Sequence, residues 1–299
     1  MNILITGHKG FVGQQYVKFF SDQGHDVTGV DIKEGNDCRD FFKTCDVQFD
    51  LIVHLAAIVG GRDTIENDPL AVGVDLSIDA EFFYWLSNLK NRPEKVHYFS
   101  SSASYPINYQ KRENQVVLEE KFIDFDTEFI GVADLTYGWS KLTGEFLAKT
   151  YHKLYGANII CYRPFSGYGP DQDLTYPFPS LVKRAMGLQQ QTEMTVWGSG
   201  MQVRDFVHIE DCISLILNHS QNINDGSAIN ISTGIPTNFN QLAQQILNIL
   251  DKKNIIVNSS SKPEGVFFRV GDRKKQLECG FNPKYSLEEG ILETIKFFS

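Results

Sequence analysis

No stretch of this sequence approaches the ~20 consecutive apolar residues that span a bilayer, and its first residues hold no basic segment leading into a long apolar core. A membrane-embedded or exported chain is therefore not expected. Positive charge is also scarce: 28 lysines and arginines stand against 37 aspartates and glutamates, a net charge of −9. That balance disfavours nucleic acid or an anionic membrane as partner, and any phosphate-bearing ligand has to be met by local cations. The five cysteines (Cys38, Cys45, Cys161, Cys212, Cys279) are odd in number and show neither C-x-x-C nor zinc spacing. Reduced thiols and a cytoplasmic location are expected. The seven histidines do not fall at ligand spacing either, so no metal is expected. Internal repeats and low-complexity tracts are missing as well.

What is present suits a sizeable core: 42% of the 299 residues are hydrophobic, enough for one large α/β domain or two joined lobes. Asn2 to Thr6 is a short apolar run that stops at Gly7; Gly10 and Gly13 follow, and then an amphipathic segment carries Val12, Tyr16 and Phe19. That order reads as strand, glycine turn, helix. Further strands are predicted at Asp26 to Val30, Asp50 to Leu55, Val96 to Phe99, Asn158 to Tyr162 and Ala228 to Ser232. Helices are predicted at Leu70 to Leu89, from about Tyr137, and at Asn240 to Leu250, and Ser286 and Glu289 form a capping box for the last one. Strands alternating with helices predict a Rossmann-type, doubly wound parallel sheet. From Arg163 onward the texture becomes aromatic and rich in glycine and proline, which marks a smaller C-terminal lobe. The division expected is a cofactor domain of 1–163 and 206–233 and a substrate lobe of 164–205 and 234–299.

Three groups of residues carry chemistry. The glycines of Thr6-Gly7-His8-Lys9-Gly10-Phe11-Val12-Gly13 permit a tight turn and a close approach of backbone N–H groups to a pyrophosphate at a helix N-terminus. Asp31, at the second strand's end, is placed to accept hydrogen bonds from an adenosine ribose, which favours NAD over NADP; the alternative is a plain turn aspartate. Tyr137-Gly138-Trp139-Ser140-Lys141 puts a phenol and an ammonium four residues apart, hence on one helical face. A fixed cation there is expected to lower the phenol's pKa and make it a base. Ser101 and Ser102 end a strand, where ligands of open α/β sheets bind, although strand-end serines commonly just cap turns. Arg204 and Arg269 are candidate diphosphate clamps, and His54 reads as a structural hydrogen-bonding residue. The aromatic set Phe165, Tyr168, Tyr176 and Phe178 is read as packing that can wall a pocket.

Taken together, TGHKGFVG, the acidic Asp31, HLAA, SSSASYP, YGWSK, RPFSGYGP, GSGMQVRDFVHIED and PKYSLEEGI resemble the extended short-chain dehydrogenases/reductases, specifically the nucleotide-sugar epimerases and dehydratases, over nearly the whole chain. The resemblance implies Tyr137 as catalytic base, Lys141 as the residue that tunes it and binds the nicotinamide ribose, and Ser101 as catalytic hydroxyl. It places Gly7, Lys9, Gly10, Phe11, Val12, Gly13, Asp31, Leu55, Ala56, Ala57, Ser100, Tyr137, Lys141 and Pro164 around NAD, with Asp37 and Cys38 at the adenine. Ser101, Ser102, Ser166, Arg204 and Arg269 are implied at a nucleoside-diphosphate sugar, and a homodimer is the family's habit.

SSSASYP, Gly60-Gly61 and Pro263-Glu264-Gly265-Val266 look most like the GDP-mannose 3,5-epimerase branch. Two departures narrow the chemistry. Two places after the catalytic hydroxyl, dehydratases and decarboxylases of the family carry an acid, and 3,5-epimerases and GDP-fucose synthases a cysteine; here Ala103 stands. Ser166 replaces the usual asparagine of the RPxNxYGP segment. The activity expected is a C4 epimerase working through a transient 4-keto sugar. A 4,6-dehydratase, a 3,5-epimerase, a 4-keto-reductase and a catalytically silent NAD-binding sensor are the alternatives.

Overall fold

Six short runs, most of them apolar, bury side chains on both faces, which only a sheet covered on both sides can satisfy. The structure is a computed structural model that describes residues 1–60, 62–189 and 192–299. Its main strands are β1 (Asn2–Thr6), β2 (Asp26–Val30), β3 (Leu51–His54), β4 (Lys95–Phe99), β5 (Ile159–Pro164) and β6 (Asp225–Ile231). All pair in parallel, in the order β2-β1-β3-β4-β5-β6. The doubly wound sheet is therefore the one the alternation predicts. Because β2 and β3 flank β1, the winding reverses there and opens a crevice at the carboxyl ends of β1 and β3. Gly61, half of the Gly60-Gly61 pair, lies outside the described residues.

Alternate strand residues feed two cores. Leu4, Ile52, Val96 and Tyr98 pack with Phe42, Phe82, Trp85 and Leu86, while Ile3, Ile5, Val53 and Phe99 pack with Tyr16, Phe20, Leu215 and Ile216. Helix α1 (Phe11–Asp22) follows the glycine turn. The single helix expected over Leu70 to Leu89 is two: Pro69–Val72, then α2 (Asp75–Asn88). At Gly73 the bonding tightens to three-residue steps, Val74 N–H to Ala71 O at 3.1 Å and Leu76 N–H to Gly73 O at 3.2 Å, and this breaks the helix. The long connection before Tyr137 is less irregular than its polarity suggests. It contains a two-strand hairpin (Gln110–Lys111, Asn114–Gln115) and packs Leu118 and Ile123 against Tyr105 and Phe165.

A second, smaller sheet pairs Val203–His208 with Ser166–Tyr168, Pro236–Asn238 and Phe268–Arg269. That strand, which the sequence division cuts at residue 206, lies whole in the smaller sheet. Asp205 on it accepts the Thr233 N–H (2.8 Å), Thr233 hydroxyl (2.6 Å), Gly234 N–H (2.9 Å) and Gly271 N–H (3.2 Å), tying the chain as it leaves β6 to the smaller sheet. Asp211 accepts the Lys284 and Tyr285 N–H groups at 2.9 and 3.0 Å, joining the VHIED and PKYS motifs. The Ser286 and Glu289 capping box forms with both of its bonds.

Helix α3 (Leu135–Tyr155) lies against the sheet with almost nothing between them. A Cβ on Gly144 would overlap the Tyr98 hydroxyl, and one on Gly138 would overlap the Ala103 carbonyl. The same approach buries Glu145 against Arg163, with Arg163 Nη2 2.6 Å from Oε2 and Nε 2.9 Å from Oε1. Ser100 donates to Glu145 Oε1, and Arg163 Nη1 donates to the Tyr105 hydroxyl at 3.0 Å. Removing one partner of such a pair leaves an uncompensated buried charge. Glu145→Ala is expected to lower unfolding free energy by ~3–5 kcal/mol, read as a fall in the urea midpoint with the slope unchanged.

Candidate active site

The strand that ends at Phe99 delivers Ser100, Ser101 and Ser102 to the crevice, and α3 delivers Tyr137 and Lys141 in its first two turns. Ser101 caps the turn that follows it, its Oγ accepting the Ala103 N–H at 3.1 Å. The oxygen is thereby fixed and the hydroxyl proton is free to be donated. Tyr137 is the group it meets, and the bond between them favours the phenolate. Leu135, two residues before the tyrosine, sits at φ +55°, a conformation that non-glycine residues adopt at a cost of about 1–3 kcal/mol.

The effect predicted for Lys141 is corrected by the structure. Burial pushes the Tyr137 phenol well above its ordinary pKa, and Asp75 and Asp79 add to the rise. Lys141 is 3% exposed, its Nζ 5.5 Å from the Tyr98 ring centroid, and it works to lower the pKa of both α2 carboxylates. Burial works to raise the Asp79 pKa, but Lys141 and hydrogen bonds from His54 and Tyr98 hold it below the usual value. The Tyr98 hydroxyl donates to Asp79 Oδ2 at 2.6 Å. His54 has the structural role expected of it, bridging Thr6 Oγ1 (2.8 Å, at Nδ1) to Asp79 Oδ1 (3.1 Å, at Nε2) and stacking on Phe82 at 3.9 Å. Since ionised Asp79 only accepts, Nε2 carries the proton and Thr6 donates to Nδ1.

A cavity of about 690 Å³ runs from the glycine turn across the serines into the smaller lobe. Of the residues singled out in the sequence, it is lined by Gly7, Gly10, Phe11, Val12, Gly13, Leu55, Ala57, Ser100, Ser101, Ser102, Tyr137, Lys141, Pro164, Ser166, Arg204 and Arg269. Lys9, Asp31, Ala56, Asp37 and Cys38 do not line it. Asp37 caps the helix Cys38–Thr44 and pairs with Arg39 at 2.6 Å, and burial pushes the Cys38 thiol up to about 12. Nor does Arg269 present a free clamp: it pairs with Asp134 at 2.8 Å and donates to Gln110 at 2.6 Å. Arg204 donates to the carbonyls of Val203, Val266 and Glu264 at 2.8, 2.9 and 3.2 Å. Phe165, Tyr176 and Phe178 wall the cavity, whereas Tyr168 is core, 4.0 Å from the Phe178 ring.

The glycine turn fits a dinucleotide. Gly7, at φ +74°, would bring a Cβ to 2.9 Å from Ala56 N, so the turn admits only glycine there. Helix α1 has Gly10 at its N-cap, no side-chain cap bond and no acid in its first turn. Its leading N–H groups and positive dipole end therefore remain for an anion. Residues 3–232 match the model of the NAD dependent epimerase/dehydratase family. The chain belongs to that family. Family membership makes it an NAD-dependent enzyme of the nucleotide-sugar epimerase/dehydratase type. It is 27% identical to a GDP-L-fucose synthase of Sinorhizobium fredii, over 99% of this chain and 95% of that one. To a UDP-glucose 4-epimerase of Mycolicibacterium smegmatis it is 24% identical, over 100% and 98%. The fold is that of the UDP-glucuronic acid 4-epimerase of Bacillus cereus, solved in complex with UDP-glucuronic acid and NAD (TM-score 0.79, 22% identity, 99% of this chain and 98% of that one).

Several polar residues of the site escaped sequence reasoning. Asp75 and Asp79 are the clearest, and a signal existed: two carboxylates four apart in a helix whose neighbours Ile78, Phe82 and Trp85 are buried. Glu145 and Arg163 had no local signal. Asp31 accepts the Lys9 and Lys33 N–H groups at 2.8 and 2.9 Å, one on each oxygen, and each oxygen keeps a further lone pair for a ribose hydroxyl. Lys9 Nζ pairs with Glu34 at 2.9 Å and Lys33 Nζ donates to the Lys9 carbonyl at 3.2 Å, so two cations stand near Asp31 but its carboxylate still opposes an added 2′-phosphate. NAD is accordingly expected to bind at least about tenfold tighter than NADP in calorimetric titration. Tyr137→Phe is expected to lower turnover by at least ~100-fold while melting temperature and bound NAD stay near wild type, since it removes the proton-transfer group and almost no volume.

Proposed function

We propose that the chain is an NAD-dependent nucleoside-diphosphate-sugar 4-epimerase. The observation that carries this reading is what stands beside Ser101 and Tyr137. Ala103, buried and without an ionisable group, occupies the place two residues after the catalytic hydroxyl. Among the described residues, the carboxylates that line the cavity are engaged elsewhere: Asp134 with Arg269, and Glu264 with the Ser199 N–H. Burial holds the Cys212 thiol and the Tyr176 phenol protonated. Elimination across C5 and C6, or inversion at C3 and C5, needs a further base and acid about the ring. Exchange at C4 needs only the groups that are present.

In this reading Ser101 donates to the sugar 4-oxygen, Tyr137 takes and returns its proton, and Lys141 orients the nicotinamide ribose. NAD, when bound, supplies a hydride acceptor that returns what it takes, so the cycle is redox-neutral. The aromatic walls exclude water from the keto sugar, and rotation of that sugar in the cavity exposes its other face. The smaller lobe holds the nucleoside diphosphate, with Arg204 nearest the role of cation and Arg269 acting through Asp134. We read the main sheet as the cofactor lobe, the location as cytoplasmic, and the assembly as a homodimer through α2 and α3. Those helices carry the exposed apolar residues Leu76, Tyr84, Trp139 and Phe146.

Similarity to a GDP-L-fucose synthase favours a second reading, epimerisation at C3 and C5 with reduction at C4. Incubation with UDP-, GDP-, CDP- and dTDP-sugars in deuterated water separates the two. A 4-epimerase gives the C4 epimer with no solvent deuterium on carbon. Deuterium at C3 or C5, a 6-deoxy-4-keto product, or consumption of added NADPH overturns the proposal.

A further inference from the structure

The chemistry above uses Tyr137, Ser101 and Lys141 and leaves one buried charge without a task. Asp75, in the first turn of α2, is 0% exposed. Its Oδ1 accepts the Ile58 N–H at 2.6 Å, and its Oδ2 has no hydrogen-bond partner among the described residues. A fully buried carboxylate normally has both oxygens satisfied, because an unsatisfied one forfeits its hydration for nothing. Among the described residues, the cation whose charge acts on it is Lys141, itself buried and four residues along the helical face from Tyr137.

We propose that Asp75 is a positioning residue for the proton transfer: its carboxylate offsets the charge of the Lys141 ammonium and so decides whether Tyr137 carries its proton. The inference rests on the assignment of Tyr137 as the group that exchanges a proton with the sugar. Among the described residues, Asp75 and Asp79 of α2 act on the phenol, Lys141 of α3 acts on both carboxylates, Ser101 bonds the phenol from the turn after β4, and Tyr176 couples to it from the segment before the Pro177–Gly187 helix. The Arg62–Asn67 helix, which also packs on α3, carries Glu66. Asp79 is committed to His54 and Tyr98, so its charge is fixed. Asp75 differs. Burial lifts its pKa to about 6, Asp79 adding to the rise while Lys141 and the Ile58 N–H oppose it. Its charge therefore changes within the range in which enzymes of this kind work.

The sign follows. Burial is the main force keeping Tyr137 protonated, and above about pH 6 ionised Asp75 adds to it by repelling a phenolate, so turnover that needs the phenolate rises towards alkaline pH. Replacing the carboxylate by a neutral group leaves Lys141 acting on the phenol with less opposition.

The test has two arms, both on the NAD-loaded protein. In the first, side-chain carboxyl carbon resonances are followed by NMR through a pH titration, the Asp75 signal being the one missing from Asp75→Asn. A midpoint near 6 is expected; an ordinary carboxylate midpoint near ~4 overturns the proposal. This arm needs no turnover, so it stands apart from the identity of the reaction. In the second, the pH dependence of kcat/KM is compared between wild type and Asp75→Asn on whichever nucleotide sugar is turned over. The acid limb is expected to move down by about one pH unit, a relative gain of about tenfold below the wild-type limb. A limb that does not move overturns the proposal. A lesion confined to packing would lower kcat at every pH and leave the limb where it was. Should Asp75→Asn melt below the assay temperature, Asp75→Ser, which still offers an oxygen to the Ile58 N–H, takes its place under the same two outcomes.

Discussion

The site depends on how closely the Leu135–Tyr155 helix approaches the parallel sheet. Gly138 and Gly144 are the two points of nearest contact, and at each a single added carbon would meet an atom already there. That closeness carries Tyr137 to Ser101 and drives Lys141, Ser140 and Glu145 out of water. It is also why the helix must carry charge inward: a lysine and a glutamate buried within one turn of each other each need a partner from the sheet or from α2. Arg163 serves the glutamate, and Asp75 and Asp79 serve the lysine.

The result is an electrostatic layer under the crevice, and its members hold one another in place. Thr6, His54, Asp79 and Tyr98 form a continuous chain of hydrogen bonds across β1, β3, α2 and β4. Ser100, Glu145, Arg163, Tyr105 and Asn230 form a second across β4, α3, β5 and β6. Buried networks of this kind are unfavourable if half satisfied and rigid when complete. The Ser101 and Tyr137 hydroxyls stand on top of a layer with little freedom to rearrange.

How much of this was legible in the sequence varied with range. The glycine turn, the strand-end serines and the i, i+4 pair of Tyr137 and Lys141 are local patterns, each visible in a few consecutive residues. The doubly wound sheet followed from alternation alone. Asp31 was placed correctly at the end of β2, yet its oxygens already hold two backbone amides, which its type and position did not reveal. The Tyr137–Lys141 spacing does not show that burial, and after it Asp75 and Asp79, raises the phenol's pKa. Those carboxylates are more than sixty residues from Lys141 in sequence, and no local pattern brings them near. Arg269 lines the cavity as expected, but its pairing with Asp134, 135 residues upstream, had no local signal.

By itself the sequence determined the order of strands and helices, the edge of the sheet where ligands sit, and the residue types available for chemistry. Periodicity and glycine placement are properties of neighbours along the chain, and they survive in one dimension. The tertiary structure alone decided which charges oppose one another. Pairing of Glu145 with Arg163, Asp134 with Arg269, and Lys141 with the α2 carboxylates depends on segments that meet only when the sheet and its helices close. The rise in the Tyr137 pKa, from burial first and from the α2 carboxylates second, also comes from that meeting, because a charge acts through space over a few ångströms of low-dielectric interior and not along the chain.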